Sequence, residues 1–437
     1  MNASEVNTNG IKDARTLGTP RMLLLGLQHM FAMFGATVLV PVITGLSVSA
    51  TLLFAGLGTL LFHLVSKRKV PAFLGSSFAF LGGYATVKMM GADAGMSMSL
   101  SLAYASVGVF CAGLLYLVMS LLIKIYGTKK IMKFFPPIVT GPIVISIGLA
   151  LSGTALSSCN ANWWIALVAI VIVVVCNIWG KGLIKIVPIL MGVLGSYIFA
   201  ACIGEVDFSS LKDAAWIGLP VARENTVLAV FDNPDWSFLL SAVIAVFPIA
   251  IATMVEHVGD ICAIQSTVGE NFLEDPGLHR TMLGDGLATS LAALFGAPAN
   301  TTYGENTGVL NLTRVFDPRV IRIAALFAIL LSFCPKFAAL IALMPTATIG
   351  GISLILYGMI SAVGIRNLVE SHTDLTKSKN VLVAAVILVL AIGIKYGLND
   401  QISIGFTSLS GLAVAAIVGI VLNAILPDDK TGEMAVL

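Results

Sequence analysis

The stretch Asn300-Thr301-Thr302-Tyr303-Gly304-Glu305-Asn306-Thr307-Gly308 decides the fold. It is polar and β-branched up to Tyr303, and from Gly304 an apolar helix resumes to about residue 316. Extended backbone at membrane depth is tolerated only where it lines a cavity or is buried in protein. Where the helix restarts, its first N–H groups are unpaired and its dipole end is positive, so they can donate hydrogen bonds to a ligand carbonyl. Gly75-Ser76-Ser77-Phe78 repeats the pattern, with Phe78 as a flat apolar wall, although alone it would read as a packing residue. The apolar segments near 71–90, 281–297 and 301–316 are all interrupted by Gly, Pro, Ser, Thr or a charge, the pattern of broken or half-length helices.

Around these segments the 437-residue chain is 57 % hydrophobic and only 11 % charged. That shortage of charge excludes a soluble globular enzyme and predicts one polytopic membrane body. A helix needs about 20 apolar residues to cross the hydrocarbon layer. Candidates fall near 22–44, 48–66, 101–124, 134–152, 162–179, 183–204, 236–262, 319–334, 337–362, 379–396 and 402–426, and with the three broken segments they make fourteen. On that count all but Lys88, Lys212, Arg223, Lys336 and Lys395 of the 25 Lys and Arg fall on one face, which the positive-inside rule makes cytoplasmic, together with both termini. A net charge of +2 without basic patches predicts no nucleic-acid partner. Cys111, Cys159, Cys176, Cys202, Cys262 and Cys334 are scattered singly, so they read as packing residues, with no metal site and no cofactor expected. Residues 1–20 lack the apolar core of a cleaved signal peptide.

Fourteen spans divide into two halves of seven, and an odd number of crossings inverts the second half. Gln28-His29 is echoed by Glu256-His257, and Ser76-Ser77-Phe78 lies 47 residues beyond His29, as Gly304-Glu305-Asn306 does beyond His257. Spans 1, 3, 8 and 10 therefore mark the crossing point, where inverted-repeat transporters place their site. Acidic groups within spans are functional hypotheses by default. Glu256 and Asp260, spaced i,i+4, share one face of span 8, and Glu305 stands in span 10. Asp285, nearer a span end, reads as a solvated or capping residue. Carboxylate acceptors, backbone donors and an aromatic wall suit a small, planar, neutral ligand with alternating N–H and C=O groups, such as a nucleobase. An amino acid or a phosphate would want a fixed positive charge, which the spans do not supply; sugars call for more aromatic and amide groups.

Leu27-Gln28-His29, residues 71–80, Glu256-His257-Val258-Gly259-Asp260, residues 275–280 and Thr301 to Gly308 with Thr313-Arg314 together resemble the nucleobase–ascorbate transporter family, in particular its bacterial uracil-transporting members. The resemblance covers about residues 20–426. It implies an all-α fold of fourteen spans in a 7+7 inverted repeat, with short antiparallel strands in spans 3 and 10. It also implies a tail over 1–21, a core domain over 22–133 and 236–335, a gate domain over 134–235 (with an external loop) and 336–426, and a second tail over 427–437. The activity implied is uracil import by proton symport, in the bacterial inner membrane and often as a homodimer. Carried over position by position, Glu256, Glu305, Phe78, Gly304 and Ala36 match substrate-binding positions. Asp260, Glu305, Tyr357 and Ser353 match the proton-coupling network, and Gln28, His29, Ser77, Tyr303 and Asn306 support them. Tyr357 reads equally well as a satisfied core tyrosine. Purine carriers tend to have Gln at the position of Glu305, so Glu305 favours uracil. Asp260 stands where some uracil carriers have His, which points to coupling at lower pH unless burial intervenes. A purine or ascorbate carrier, an ion channel and a membrane enzyme using paired carboxylates are the rivals.

Overall fold

The computed structural model describes residues 10–427 apart from 132, 134, 399, 401, 405 and 406. The tail residues 1–9 and 428–437, with Lys430, lie outside the described residues. In chain order the elements are α1 (Thr19–Thr44), α2 (Val48–Val65), β1 (Leu74–Ser76), α3 (Leu81–Asp93), α4 (Met98–Tyr126), α5 (Thr128–Ile131), α6 (Pro137–Cys159), α7 (Trp163–Trp179), α8 (Leu183–Ile186) and α9 (Pro188–Cys202). They continue with α10 (Trp236–Val246), α11 (Ile249–Val268), α12 (Leu278–Leu294), β2 (Asn300–Thr302), α13 (Gly304–Thr313), α14 (Pro318–Ser332), α15 (Pro335–Ala342), α16 (Thr346–Glu370), α17 (Ser378–Gly397), β3 (Ile402–Ile404), β4 (Thr407–Leu409) and α18 (Gly411–Ile425). The chain is thus mostly helical. Among the described residues seven helices are each long and apolar enough to cross a membrane, or eight if the bent pair α14–α15 counts as one, and α7, α9 and α18 are shorter apolar helices.

The polar residues between apolar runs set the helix ends. Ser47, Ser97, Asn162, Asp235, Asp317 and Ser410 each accept a hydrogen bond from a first-turn N–H of the helix that follows, filling donors that nothing else in the helix can reach. Prolines set the breaks. Pro248 separates α10 from α11 inside the segment expected as one span, and Pro345 separates α15 from α16 inside another. Between α14 and α15 the chain bends by 87°.

Three expectations are corrected. Residues 402–404 and 407–409 pair as the antiparallel strands β3 and β4, so the last helix starts only at Gly411. The segment near 281–297, expected to be broken, is one unbroken helix, α12. Gly284-Asp285-Gly286 does not interrupt it because both glycines serve packing: a Cβ on Gly286 would lie 2.4 Å from Tyr116 Cβ, and one on Gly284 would lie 3.0 Å from the Phe62 ring. The cysteines are not uniformly packing residues, since Cys159 is buried while Cys202 and Cys262 are exposed.

The helices sort into two sets by contact. α1 to α4 pack with α10, α12 and α14, chiefly through α4 on α12, α2 on α14 and α2 on α12. α6, α7, α9, α16, α17 and α18 pack with one another, most extensively α6 on α16. The sets meet where α1 touches α9 and α16, and where α11 touches α6 and α18. On one end of the first set, residues 10–17 lie as a strap. Ile11 N donates to Arg314 O and its carbonyl accepts from Phe316 N, Ala14 N donates to Asp317, and Asp13 pairs with Arg319. The Arg15 side chain and backbone N–H beside Asp13 hold its carboxyl well below the usual range.

Candidate functional site

β1 and β2 pair antiparallel, with Leu74 opposite Thr302, Gly75 opposite Thr301 and Ser76 opposite Asn300. The ladder runs on through Ser77 N to Ala299 O at 2.8 Å and Tyr303 N to Phe73 O at 3.0 Å. Each strand is fastened by a threonine from a neighbouring helix: Thr59 on α2 exchanges bonds with the N–H and carbonyl of Leu74, and Thr289 on α12 donates to Asn300 O. Tyr303 OH donates to Ser76 O at 2.8 Å, and Ser76 Oγ donates to Thr37 O on α1 at 2.9 Å. The short strands thus have partners on both sides, which is what lets extended backbone persist inside an apolar body.

The two strands each lead into a helix that no side chain caps: β1 into α3 and β2 into α13. Among the described residues no hydrogen bond uses the N–H of Phe78 or Gly304. A Cβ added at Gly304 would meet no atom within 4 Å, so the start of α13 faces open space. Gly75, by contrast, is closed in, since a Cβ there would lie 2.5 Å from the Tyr303 ring and 2.7 Å from Thr37 Oγ1. Gly75→Val is therefore expected to lower stability by about 1–3 kcal/mol by overpacking, while Gly304→Ala changes it by less than about 0.5 kcal/mol. Thermal unfolding of the detergent-solubilised variants measures both, and equal losses would contradict the open space at Gly304.

Glu256 and Asp260 lie on α11, which packs on α13 and β2, and Glu305 is in the first turn of α13. All three are half-buried, and among the described residues none has an ion-pair partner. Asp260 Oδ2 accepts from Thr302 Oγ1 at 2.7 Å, which ties α11 to the strand. A carboxylate at a helix N-terminus is favoured by the dipole, which accounts for Glu305 holding its place without a cation.

The remaining expected positions gather around this point. Asn306 Nδ2 donates to His29 O at 3.0 Å and lies 3.2 Å from His29 Nδ1, joining α13 to α1, and Gln28 Oε1 is buried without a partner. Ala36 is fully buried, and Ser77 is buried with an unpartnered hydroxyl. Phe78 stands edge-on to Tyr357 of α16, ring centroids 5.9 Å apart, so it is the place where the two helix sets touch beside the strands. Among the described residues the buried hydroxyls of Tyr357 and Ser353 have no aligned hydrogen-bond partner.

Asp285 is the largest departure from expectation. It is fully buried, with Oδ2 3.0 Å from Nδ1 of His257, itself fully buried. Among the described residues His257 Nε2 and Asp285 Oδ1 have no hydrogen-bond partner. Helical spacing explains the placement: Glu256 shares the face of Asp260, which bonds Thr302 of β2, so His257, one residue on, is turned toward Asp285 of α12. The glycines flanking Asp285 were the available signal, since they mark close helix approach and not an exposed cap. Among the described residues no group of His, Cys, Asp and Glu is arranged to hold a metal. A separate groove of about 470 Å³, lined by Lys12, Arg68, Lys69, Glu270, Glu274 and Asp275, is strongly charged and carries none of these residues.

A family model described as a permease family matches residues 20–399. The chain is 40 % identical to the uracil permease of Bacillus subtilis over 98 % of its own length and 97 % of that protein. It is 38 % identical to the uracil permease of Escherichia coli over 92 % of its length and 90 % of that protein. Its fold resembles the transmembrane domain of a cyanobacterium bicarbonate transporter, BicA, with a TM-score of 0.64 at 15 % identity, covering 95 % of this chain and 99 % of that one. The chain belongs to the permease family, the nucleobase–ascorbate transporters its motifs resemble, and it is a multi-pass membrane transporter, not an enzyme.

Proposed function

We propose that the chain imports uracil together with a proton by alternating access. The observation that carries this reading is the uncapped start of α13 at Gly304 together with the unused N–H of Phe78 just ahead of α3, both presented by the β1–β2 pair near the half-buried Glu256 and Glu305. Uracil's two N–H groups suit carboxylate acceptors, and its two carbonyls suit backbone N–H donors. Phe78, edge-on to Tyr357, supplies an apolar face across the seam between the helix sets. The names of the relatives, uracil permeases at about 40 % identity, support the same substrate.

In this reading the chain crosses the membrane fourteen times. The seven long apolar helices, the bent pair α14–α15, the shorter α7, α9, α12 and α18, and α3 and α13, whose leading strands are each fastened by a threonine, make up the two inverted halves. The set holding α1 to α4 and α10 to α14 is the core, and the set holding α6, α7, α9 and α16 to α18 is the gate. Both termini face the cytoplasm of a bacterial cell, with the inner membrane around the spans and a homodimer as the working assembly. Substrate and proton bind from outside, and Glu256 and Glu305 accept the base's N–H groups. Asp260, with Tyr357 and Ser353 across the seam, completes the acidic network through which the proton is held and passed on. The core then moves against the gate, and loss of the proton inside weakens the site and releases the base. A purine carrier of the same family is the second reading, and the carboxylate at Glu305 speaks against it.

Purified protein in sealed vesicles tests the proposal. Labelled uracil is expected to accumulate when the outside is more acidic than the inside and to equilibrate without concentration when the pH is equal. Excess unlabelled uracil, but not xanthine, is expected to compete. Accumulation that ignores the gradient would remove proton symport, and stronger competition by xanthine would favour the purine reading.

A further inference from the structure

The connection between α9 and α10, expected only as an external loop, presents the two most exposed large apolar side chains of the described residues: Ile217 at 85 % and Leu219 at 86 %, with Trp216 at 71 %. These side chains are held in place. Gly218 N donates to Phe333 O at 3.0 Å and Lys336 N donates to Ala215 O at 2.9 Å, so residues 215–219 are stapled to the elbow between α14 and α15. Gly218 is seated so closely on Pro335 that a Cβ would come within 2.6 Å of its ring, and Lys336 Nζ lies 4.9 Å from the centre of the Trp216 ring. The apolar tip is therefore a rigid projection, presented with its own cation.

The elbow gives that projection a depth. α14 is apolar, and the chain turns by 87° into α15, so if α14 crosses the bilayer, α15 lies along its surface. α15 is fixed in that attitude by Phe337 against Phe34 of α1, centroids 5.4 Å apart, and by Leu340 O accepting from Tyr197 OH of α9 at 2.9 Å. The Trp216–Lys336 pair thus sits where a span ends, the level at which indole rings and lysine ammonium groups are favoured. Lys336 is also one of the few cations on the Lys/Arg-poor face, which the positive-inside rule makes the outer one.

We propose that residues 215–219 and Lys336 form an anchor that docks on the phospholipid of the outer leaflet. Ile217 and Leu219 enter the acyl boundary, Trp216 lies at the headgroup level, and the Lys336 ammonium donates to a lipid phosphate. The proposal rests on the transporter spanning the membrane, not on its substrate. A second copy of the chain is the other occupant to consider. Among the described residues Lys336 has no acidic partner, and a lipid phosphate supplies one.

The test uses the full chain in phosphatidylcholine vesicles at low protein-to-lipid ratio. Trp216 emission is taken as the difference between native protein and Trp216→Phe, which removes the other tryptophans. In lipid brominated on the upper acyl chain this emission is expected to fall about twofold or more, as befits an interfacial indole, with little quenching by aqueous iodide. Strong iodide quenching without bromolipid quenching would overturn the proposal. So would efficient copy-to-copy disulfide formation by Ile217→Cys, which would assign the patch to a dimer. Ile217→Ser with Leu219→Ser, which keeps Trp216, is expected to remove the bromolipid quenching and shift the emission to the red while uracil uptake persists. Unchanged quenching in that variant would also overturn it. Loss of uptake in the native protein would instead count against the substrate reading and leave these fluorescence results standing.

Discussion

Glu305→Gln is expected to abolish concentrative uracil uptake. Glu305 occupies the first turn of α13, half-buried, with no cation to neutralise it, beside the uncapped N–H groups of that turn. An ionised carboxylate offers acceptors on both oxygens, and its bonds to N–H donors are about twice as strong as those of a neutral acceptor. Glutamine keeps the length and one acceptor, so the loss of binding should be of the order of 1–2 kcal/mol, roughly tenfold or somewhat more in affinity. The larger effect is on coupling. An amide cannot exchange a proton in the working pH range, so whatever base still binds can no longer be driven uphill. Equilibrium binding of labelled uracil and gradient-driven accumulation in vesicles separate these effects. The expected pattern is weakened binding with no accumulation at any imposed gradient. Normal accumulation by the variant would place proton coupling at Asp260 or Glu256 instead. Xanthine competition should rise in the same variant if this position sets the preference for a pyrimidine, and an unchanged ratio would assign that preference elsewhere.

How much of this was legible follows from the kind of interaction each feature uses. The broken segments at 75–78 and 300–304 were visible because polar and β-branched residues inside apolar runs contradict an uninterrupted helix. The pairing of β1 with β2 bridges more than two hundred residues, so the sequence offered only the family resemblance for it. Glu256 and Asp260 fell on one face by helical spacing alone. Position near the expected end of a span makes Asp285 look like a capping residue, whereas its two flanking glycines mark a buried helix contact. Those glycines bring α12 so close to Phe62 and Tyr116 that the carboxylate has no route to water. The late start of α18 and the division at Pro345 went unseen because hydropathy averages over a window and does not register where a backbone turns.

The buried pair found at Asp285 gives the second large effect. His257→Leu is expected to cost about 1–3 kcal/mol, because removing one partner leaves the other polar group buried and uncompensated. Both side chains have no exposure, and the Phe62 ring lies edge-on to His257 at 6.2 Å, so water has little room to replace the imidazole. Asp285→Leu should cost a similar amount for the same reason. The double substitution, His257→Leu with Asp285→Leu, should recover much of the loss, since two apolar groups ask for no partner. Thermal unfolding of the three variants in detergent forms a double-mutant cycle, in which the coupling between the two positions is read directly. Additive losses would mean that the 3.0 Å approach carries no energetic coupling. Strong coupling with recovered stability, but without recovered uptake, would mean that the pair is held for what it does one residue away at Glu256: fixing the rotation of α11 that turns that carboxylate toward the strands.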